Sequence, residues 1–265
     1  MKIIRFINEE GKTYLGTELK DNRSEVLSGD LFGDLTKTGE TKKIKRYLPP
    51  LEPKSILCIG LNYKAHALET GMRLPEYPIL FMKNVAAVTG HQSNIIIPDC
   101  CKNPHQVDYE AELTVIIGKE ARNVKAENAF DYIFGYTIAN DVSARTWQKS
   151  GGGKQWVRGK SFDTFCPLGP AIITADEGID PDNLDISLKL NGEIMQESNT
   201  SDLIFSVSKL IEFLSEGTTL VPGTVILTGT PSGVGFTRKP PVFLKEGDLV
   251  ETKIDKIGIL VNGVE

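Results

Sequence analysis

Short runs of apolar and β-branched residues recur along most of the chain, and turn-forming residues separate them. Runs of this kind favour β-strands, because their side chains fit a pleated and half-buried surface. Clear examples are residues 55–60, 79–83 and 225–228. Between residues 184 and 197 the dipeptide Asn191–Gly192 interrupts the pattern, which indicates a tight hairpin. The chain is therefore predicted to adopt a mixed, β-rich fold with few short helices.

Helical spacing stands out in residues 203–214. Apolar residues recur there at intervals of three and four, Ser201 and Asp202 precede them, and Gly217 follows. Serine and aspartate are good N-caps and glycine often ends a helix, so we predict a helix over this segment. A shorter helix is predicted over residues 62–71, again closed by a glycine.

A proline-rich junction divides the chain. Residues 1–50 contain a hairpin pattern and a polar stretch, and they are predicted to form a small β-rich N-terminal domain. The junction contains three prolines, Pro49, Pro50 and Pro53, which are typical of a linker. Residues 51–265 are predicted to form a larger domain, and all the candidate chemistry lies within it.

The candidate chemistry centres on the predicted strand 108–118. Residues two apart on a strand share a face, so Glu110 and Glu112 are expected to lie side by side. Asp141 follows another apolar run, and together these three residues are called the acid triad. Three oxygen ligands without histidine or cysteine suit Mg²⁺, Mn²⁺ or Ca²⁺ better than Zn²⁺. Taken alone, the E-x-E pattern is better explained by two solvent-exposed glutamates, so the metal interpretation depends on further features.

One such feature is the pair His66 and Glu69. On the predicted helix these residues are three positions apart and meet on one face. The simplest interpretation is a surface ion pair. The functional interpretation is a general base that a carboxylate holds and polarises.

The other feature is the glycine-containing segment that includes Gly229 and Thr230. Glycine lets the backbone approach a ligand closely, and Thr230 would then donate a hydrogen bond to a carboxylate. An ordinary loop is the alternative. The second glycine-rich segment, residues 149–154, lacks the frame and the strand-to-helix context of a phosphate-binding loop. A nucleotide-binding protein is therefore the least favoured interpretation.

The composition and net charge of the chain exclude some classes of binding partner. The net charge of −5 and the pI of about 5.4 argue against a nucleic-acid partner and against a basic membrane-binding surface. No apolar run approaches the roughly 20 residues that span a bilayer. The first residues lack an apolar signal core, and the four cysteines are interpreted as reduced thiols. These points predict a cytoplasmic protein that acts on a small molecule.

Several motifs resemble those of the fumarylacetoacetate hydrolase family, and together they extend over roughly residues 50–260. They are the segments 60–63, 108–112, 135–137, 140–145, 159–165 and 227–235, with His66 and Glu69. The segment 238–245 resembles one branch of this family, which contains fumarylacetoacetate hydrolase domain-containing protein 2 and 2-hydroxyhepta-2,4-diene-1,7-dioate isomerases. The resemblance implies a catalytic domain folded as a β-roll or sandwich, and a homodimer.

The resemblance also implies roles for individual residues. The acid triad would hold one Mg²⁺ or Mn²⁺ ion. Lys160 would stabilise developing oxyanion charge, and His66, polarised by Glu69, would move a proton or activate water. The implied substrate-binding residues are Arg145 and Gln148, which would orient a carboxylate, and Thr230, which would bind the far end.

The implied substrates are small 2-oxo or 1,3-diketo acids, and the expected reaction passes through enolate-like charge that the metal stabilises. Keto–enol tautomerisation of oxaloacetate is the favoured activity. Hydrolysis of an acylpyruvate or of fumarylacetoacetate, and decarboxylation of oxaloacetate, are alternatives with the same residues. A non-catalytic metal- or metabolite-binding protein of the same fold is the alternative from another class.

Overall fold

The computed structural model describes residues 1–265. The strands are β1 (Lys2–Ile7), β2 (Thr13–Glu18), β3 (Arg23–Gly29), β4 (Leu35–Lys43), β5 (Arg46–Leu48), β6 (Ser55–Gly60), β7 (Ile79–Lys83), β8 (Val88–Thr89), β9 (Val107–Asp108), β10 (Ala111–Ile117), β11 (Ala121–Arg122), β12 (Ile133–Asn140), β13 (Ser143–Ala144), β14 (Cys166–Thr174), β15 (Asp185–Leu190), β16 (Glu193–Asn199), β17 (Thr219–Leu220), β18 (Thr224–Leu227), β19 (Leu249–Ile254) and β20 (Gly258–Gly263).

Helices are few and short. The α-helices are α1 (Lys64–Glu69), α2 (Trp156–Lys160) and α3 (Val207–Ser215), and one π-helical turn spans Trp147–Gly151. Further 3₁₀ segments are Val85–Ala87, Asp99–Cys101, Ala126–Tyr132, Ala175–Glu177, Thr200–Asp202 and Gly235–Thr237. None of the helices combines the length and the apolar character that crossing a membrane requires. The prediction of a β-rich fold with few short helices is confirmed.

A 12-stranded sheet forms the larger layer. Its strand order is β4-β3-β2-β1-β14-β12-β10-β18-β6-β7, with β5 paired to β1 and β8 paired to β14. Strand β10 is buried along its whole length between β12 and β18, which explains its nearly continuous apolar sequence. The residues at the N-terminal end of β10 are therefore held in the middle of the fold.

The N-terminal segment joins this sheet directly. Lys2 and Ile3 of β1 pair with Ile173 and Ile172 of β14. Strands β2, β3 and β4 then extend the sheet outward, and β4 at its edge is polar and mostly exposed. The division at residue 50 stays a prediction, and this pairing shows how the two parts of the chain are connected.

A four-stranded antiparallel sheet, in the order β16-β15-β19-β20, packs against the larger one. Strands β15 and β16 form the predicted hairpin, and its turn residues Asn191 and Gly192 have φ values of 54° and 84°. Positive φ at both central residues is the geometry that favours the Asn-Gly pair. This hairpin brings a polar side chain of β16, Gln196, under the candidate site.

Helix α3 buries its apolar face as predicted, but it begins later than its sequence pattern indicated. Ser206, rather than Ser201 or Asp202, is its N-cap and accepts a hydrogen bond from the Lys209 N–H. The preceding residues do not continue the helix: Thr200–Asp202 form a separate 3₁₀ turn, and Asn62 accepts the N–H groups of both Ile204 and Phe205. A tertiary contact therefore overrides the local helical spacing.

Candidate active site

The acid triad is formed where β10 begins and β12 ends. Ala111 pairs with Asn140, so the residues beside them, Glu110 and Asp141, are neighbours, and the Asp141 N–H donates to the Glu110 carbonyl at 2.8 Å. One carboxylate oxygen from each member of the triad lies within 4.8 Å of the others. All three side chains are buried, which excludes the interpretation as solvent-exposed glutamates.

Two buried lysines neutralise part of this charge. The Lys160 ammonium lies 2.8 Å from Glu110 Oε2 and 2.6 Å from Asp141 Oδ2. The Lys83 ammonium lies 2.5 Å from Asp141 Oδ1, and its side chain is completely buried. Buried carboxylates need such partners because desolvation penalises an unpaired charge. Sequence reasoning missed Lys83, whose one signal is a lysine at the end of an apolar strand.

Glu112 is the member of the triad that no cation contacts. Its hydrogen bond comes from the backbone N–H of Gly229, at 2.7 Å from Oε2. Burial, together with the charges of Asp141 and Glu110, raises the pKa of Glu112 well above its usual value. For Glu110, burial opposes ionisation, but Lys160 and Arg145 outweigh it and lower the pKa to about 2. The donor set fits a hard divalent cation, because three carboxylates converge and one of them lacks a positive partner.

Arg145 joins the triad to a fourth buried acid, Asp108. The guanidinium Nη1 lies 2.6 Å from Glu110 Oε1 and donates to Gln148 Oε1 at 3.0 Å. Its Nε donates to Asp108 Oδ2 at 2.9 Å. Asp108 also accepts the backbone N–H groups of Gly235 and Phe236. Sequence reasoning gave Asp108 no role, although it lies two residues before Glu110 in the motif 108–112.

The predicted pair on α1 forms. His66 Nδ1 lies 2.9 Å from Glu69 Oε2; the His66 side chain is buried, whereas Glu69 is partly exposed to solvent. Glu69 Oε1 accepts the Gly233 N–H at 2.9 Å and the Thr237 hydroxyl at 2.8 Å. Partial burial alone would raise the pKa of Glu69, but these bonds and His66 lower it, so Glu69 is ionised. His66 lines the cavity described below, and because Nδ1 is occupied, Nε2 is the nitrogen left for a ligand.

Thr230 is held by Gln196, a residue that sequence reasoning missed. The Gln196 amide nitrogen donates to Thr230 Oγ1 and to the Pro231 carbonyl, both at 2.8 Å, and its Oε1 accepts the Ala111 N–H at 2.9 Å. Since the Thr230 oxygen already accepts this bond, its hydroxyl hydrogen is free to be donated into the cavity. A buried glutamine on an alternating strand gave no distinct signal in the sequence.

These residues surround a cavity of about 240 Å³. The structure brings His66, Glu110, Glu112, Arg145, Gln148, Lys160 and Thr230 to its wall; Asp141 and Glu69 lie behind and bond to these residues. Apolar side chains complete the wall, among them Phe81 and Trp156, whose rings pack edge to face with centroids 5.4 Å apart. Gly60 is needed beside Trp156, since a Cβ there would lie 2.3 Å from the indole ring.

Cys100, Cys101 and His105 lie close in the sequence, but they do not form a second metal site. His105 Nε2 bonds to the Leu244 carbonyl, and the sulfurs of Cys100 and Cys101 lie 4.0 Å apart. All four cysteines are free thiols. The acid triad is the one cluster of three potential ligands that this structure contains.

Comparison with known proteins gives a consistent result. Residues 55–265 match the family described as fumarylacetoacetate (FAA) hydrolase C-terminal. The mitochondrial oxaloacetate tautomerase FAHD2A of Bos taurus is 48% identical over 216 residues, which are 82% of this chain and 68% of the relative. The mitochondrial oxaloacetate tautomerase fahd2 of Xenopus laevis is 50% identical, again over 82% of this chain, and over 67% of its own length.

Solved structures agree over the whole chain. The 5-carboxymethyl-2-hydroxymuconate delta-isomerase of Mycobacterium smegmatis superposes with a TM-score of 0.86 at 35% identity, covering 100% of this chain and 99% of its own. The fumarylacetoacetate hydrolase of Exiguobacterium antarcticum superposes with a TM-score of 0.88 at 34% identity and the same coverage. The expected fold is thereby confirmed.

The prediction of a cytoplasmic location is wrong, because the tautomerase relatives are named as mitochondrial proteins. That prediction was drawn from the lack of an apolar secretion signal. Mitochondrial targeting segments are amphipathic and arginine-rich, so an argument about apolar signals does not address them.

Proposed function

Because this chain belongs to the fumarylacetoacetate hydrolase family, we propose that it is a divalent-metal-dependent enzyme that interconverts the enol and keto forms of oxaloacetate. One observation carries the proposal: the buried acid triad includes a member without a positive partner, Glu112, and this residue lines the same cavity as His66. The first feature supports binding of a cation and the second supports proton transfer. The names of the tautomerase relatives select this reaction among those of the family.

In this proposal Glu110, Glu112 and Asp141 hold Mg²⁺ or Mn²⁺. When bound, the ion supplies a Lewis acid that draws electron density from a keto or enol oxygen of the substrate. The ligand set suits both metals, since all its donors are carboxylate oxygens.

His66 carries the proton. Ketonisation requires the enol hydroxyl to lose a proton and the neighbouring carbon to gain one, with no net change in composition. In this scheme Nε2 of His66 takes the hydroxyl proton and then delivers a proton to that carbon, while Glu69 holds Nδ1 and stabilises the imidazolium formed between the two transfers. The reverse transfer converts the keto form to the enol.

Lys160 and the polar wall orient the substrate. The Lys160 ammonium lies beside Glu110 and Asp141, where it stabilises negative charge that develops on the substrate oxygen. Gln148 and Arg145 orient a carboxylate, and the Thr230 hydroxyl donates to the far end of the molecule.

The test is a spectrophotometric assay of enol-oxaloacetate on protein stripped of metal, with Mg²⁺ or Mn²⁺ then restored. We expect ketonisation faster than the spontaneous reaction only after the metal returns. Equal rates with and without protein, at saturating metal, would refute the proposed activity. Including acetylpyruvate and fumarylacetoacetate tests hydrolysis, which one solved neighbour carries in its name.

A non-catalytic binding protein is the alternative from another class, and His66→Ala separates it from an enzyme. A binder would keep its ligand affinity and have no turnover to lose. We expect instead that the variant keeps metal affinity and loses most of its turnover, because His66 touches the cavity but none of the triad carboxylates.

We also propose a homodimer, as the family resemblance implies, and a small N-terminal domain over residues 1–50. Light scattering of the purified protein would measure its mass in solution. Limited proteolysis near Pro53 would test the domain boundary.

A further inference from the structure

One cation at the cavity has no part in the scheme above. The wall carries three cationic residues, Arg145, Lys149 and Lys160. Arg145 and Lys160 are both buried and already bonded to carboxylates. Lys149 is exposed at the cavity and forms no ion pair, and its ammonium lies 4.8 Å from the centroid of the Phe236 ring.

The buried charges near the cavity are nearly balanced without Lys149. Four carboxylates, those of Asp108 and the acid triad, face three buried cations, Lys83, Arg145 and Lys160. A divalent ion at the triad would leave one net positive charge. The 2-oxo carboxylate of a substrate would neutralise it. A second carboxylate on the same substrate would then need a further cation, because an unpaired charge in a partly enclosed site is unfavourable.

Lys149 is placed to be that cation. It lies on the π-helical turn Trp147–Gly151, next to Gln148, whose side chain bonds to Arg145. The Phe236 ring contacts both cations, with the Arg145 Cζ 4.4 Å from its centroid. Cation–π contacts keep the Lys149 ammonium at the cavity without neutralising its charge. A lysine also has a flexible stem, so it reaches a carboxylate at slightly different distances.

We propose that Lys149 binds the second carboxylate of a dicarboxylic 2-oxo acid and so makes the site prefer dicarboxylic over monocarboxylic substrates. This inference rests on the proposed function, because it assumes a 2-oxo acid bound at the acid triad. It assigns the specificity to a residue outside the metal ligands and the proton-transfer pair.

The test compares two ligands that differ only at the far end. Oxaloacetate carries a carboxylate where 2-oxobutanoate carries a methyl group. Binding of each to the Mg²⁺-loaded protein is followed by tryptophan fluorescence, since Trp156 lines the cavity. In Lys149→Gln we expect the Kd for oxaloacetate to rise about tenfold, the size of one hydrogen bond to a charged group, with the Kd for 2-oxobutanoate unchanged. The KM for enol-oxaloacetate should rise in parallel while kcat changes little.

Lys154→Gln is the matched control. It removes the same charge from the same loop, and Lys154 is exposed and does not line the cavity. Lys149→Arg should restore the preference for oxaloacetate. Equal losses for both ligands, or a similar loss in Lys154→Gln, would overturn the inference.

The binding readout separates this inference from the proposed reaction. Preferential binding of oxaloacetate that depends on Lys149, without any turnover, would support the role of Lys149 and refute tautomerisation. Metal-dependent turnover with no response to Lys149→Gln would support the reaction and overturn the role of Lys149.

Discussion

Replacing Lys83 by methionine tests how the buried acids are stabilised. Methionine has nearly the same length and apolar stem as lysine but lacks the charge. The change leaves Asp141 Oδ1 without its partner at 2.5 Å, in a place where neither side chain reaches solvent. Asp141 keeps the bond from Lys160 to its other oxygen, so this residue loses one of its two lysine contacts.

The expected loss follows from the burial of this pair. Removing one partner of a buried ion pair destabilises a protein by about 3–5 kcal/mol, because the remaining charge is desolvated and uncompensated. The remaining contact from Lys160 places Lys83→Met at the lower end, about 3 kcal/mol. For a protein of this size that corresponds to a fall in Tm of roughly 10 °C.

Urea denaturation with and without Mg²⁺ measures the effect. A control is Lys43→Met, which breaks a 2.8 Å ion pair with Glu9 whose side chains are 57% and 63% exposed. We expect this control to leave the urea midpoint almost unchanged, since exposed ion pairs contribute little. Equal losses in the two variants would refute the argument from burial.

Magnesium adds a second part to this prediction. A divalent cation at the acid triad supplies positive charge that the variant lacks, so Mg²⁺ should stabilise Lys83→Met more than the unsubstituted protein. A smaller gain in the variant would show that Lys83 serves to shape the metal site more than to neutralise it.

Three further substitutions test separate parts of the site. Glu112→Gln should weaken Mg²⁺ binding by at least about 100-fold, since even residues behind the metal ligands contribute about 10–100-fold to metal affinity. The stability of the metal-free protein in EDTA should be unchanged, because the glutamine amide oxygen still accepts the Gly229 N–H. Calorimetric titration measures the first effect and thermal melting the second. Lys160→Ala should lower kcat more than it lowers the affinity for Mg²⁺, and steady-state kinetics and metal titration measure the two effects. A larger loss of Mg²⁺ affinity than of kcat would place Lys160 among the groups that support the metal. Gln196→Leu leaves the Ala111 N–H without an acceptor and the Thr230 hydroxyl without its donor. The change should lower the free energy of unfolding by about 1–3 kcal/mol and raise the KM. An unchanged KM would show that Thr230 does not bind the substrate.

Local sequence patterns predicted two of the contacts in the site, whereas the metal interpretation and the roles of the other residues depended on the family resemblance. The alternation of side chains along the predicted strand 108–118 indicated that Glu110 and Glu112 share a face, and the structure places both in one cluster with Asp141. The spacing of His66 and Glu69 predicted their contact on a helix, which forms at 2.9 Å. The members of each pair are two or three positions apart in the chain, and Asp141 follows an apolar run that predicts a strand.

Contacts that depend on the pairing of distant strands were not predictable in this way. Lys83 reaches Asp141 from 58 positions away, and Gln196 reaches Ala111 from 85 positions away. Both relations depend on the order and register of strands in two sheets, and no local periodicity encodes them. The start of α3 was misplaced for the same reason, since the pairing of Asn62 with residues 204 and 205 was not visible in the local pattern.

Asp108 connects the two halves of the proposed chemistry. On one side it holds Arg145, which contacts Glu110 of the acid triad. On the other it accepts the N–H groups of Gly235 and Phe236, in the segment whose Gly233 bonds to Glu69 behind His66. Gly235 fits this position because a Cβ would lie 1.8 Å from the Val242 carbonyl oxygen and 2.6 Å from Asp108 Oδ1. One buried carboxylate thus connects the proposed metal ligands with the proposed proton-transfer group, and a reaction at a single substrate requires the two to be held in a defined arrangement.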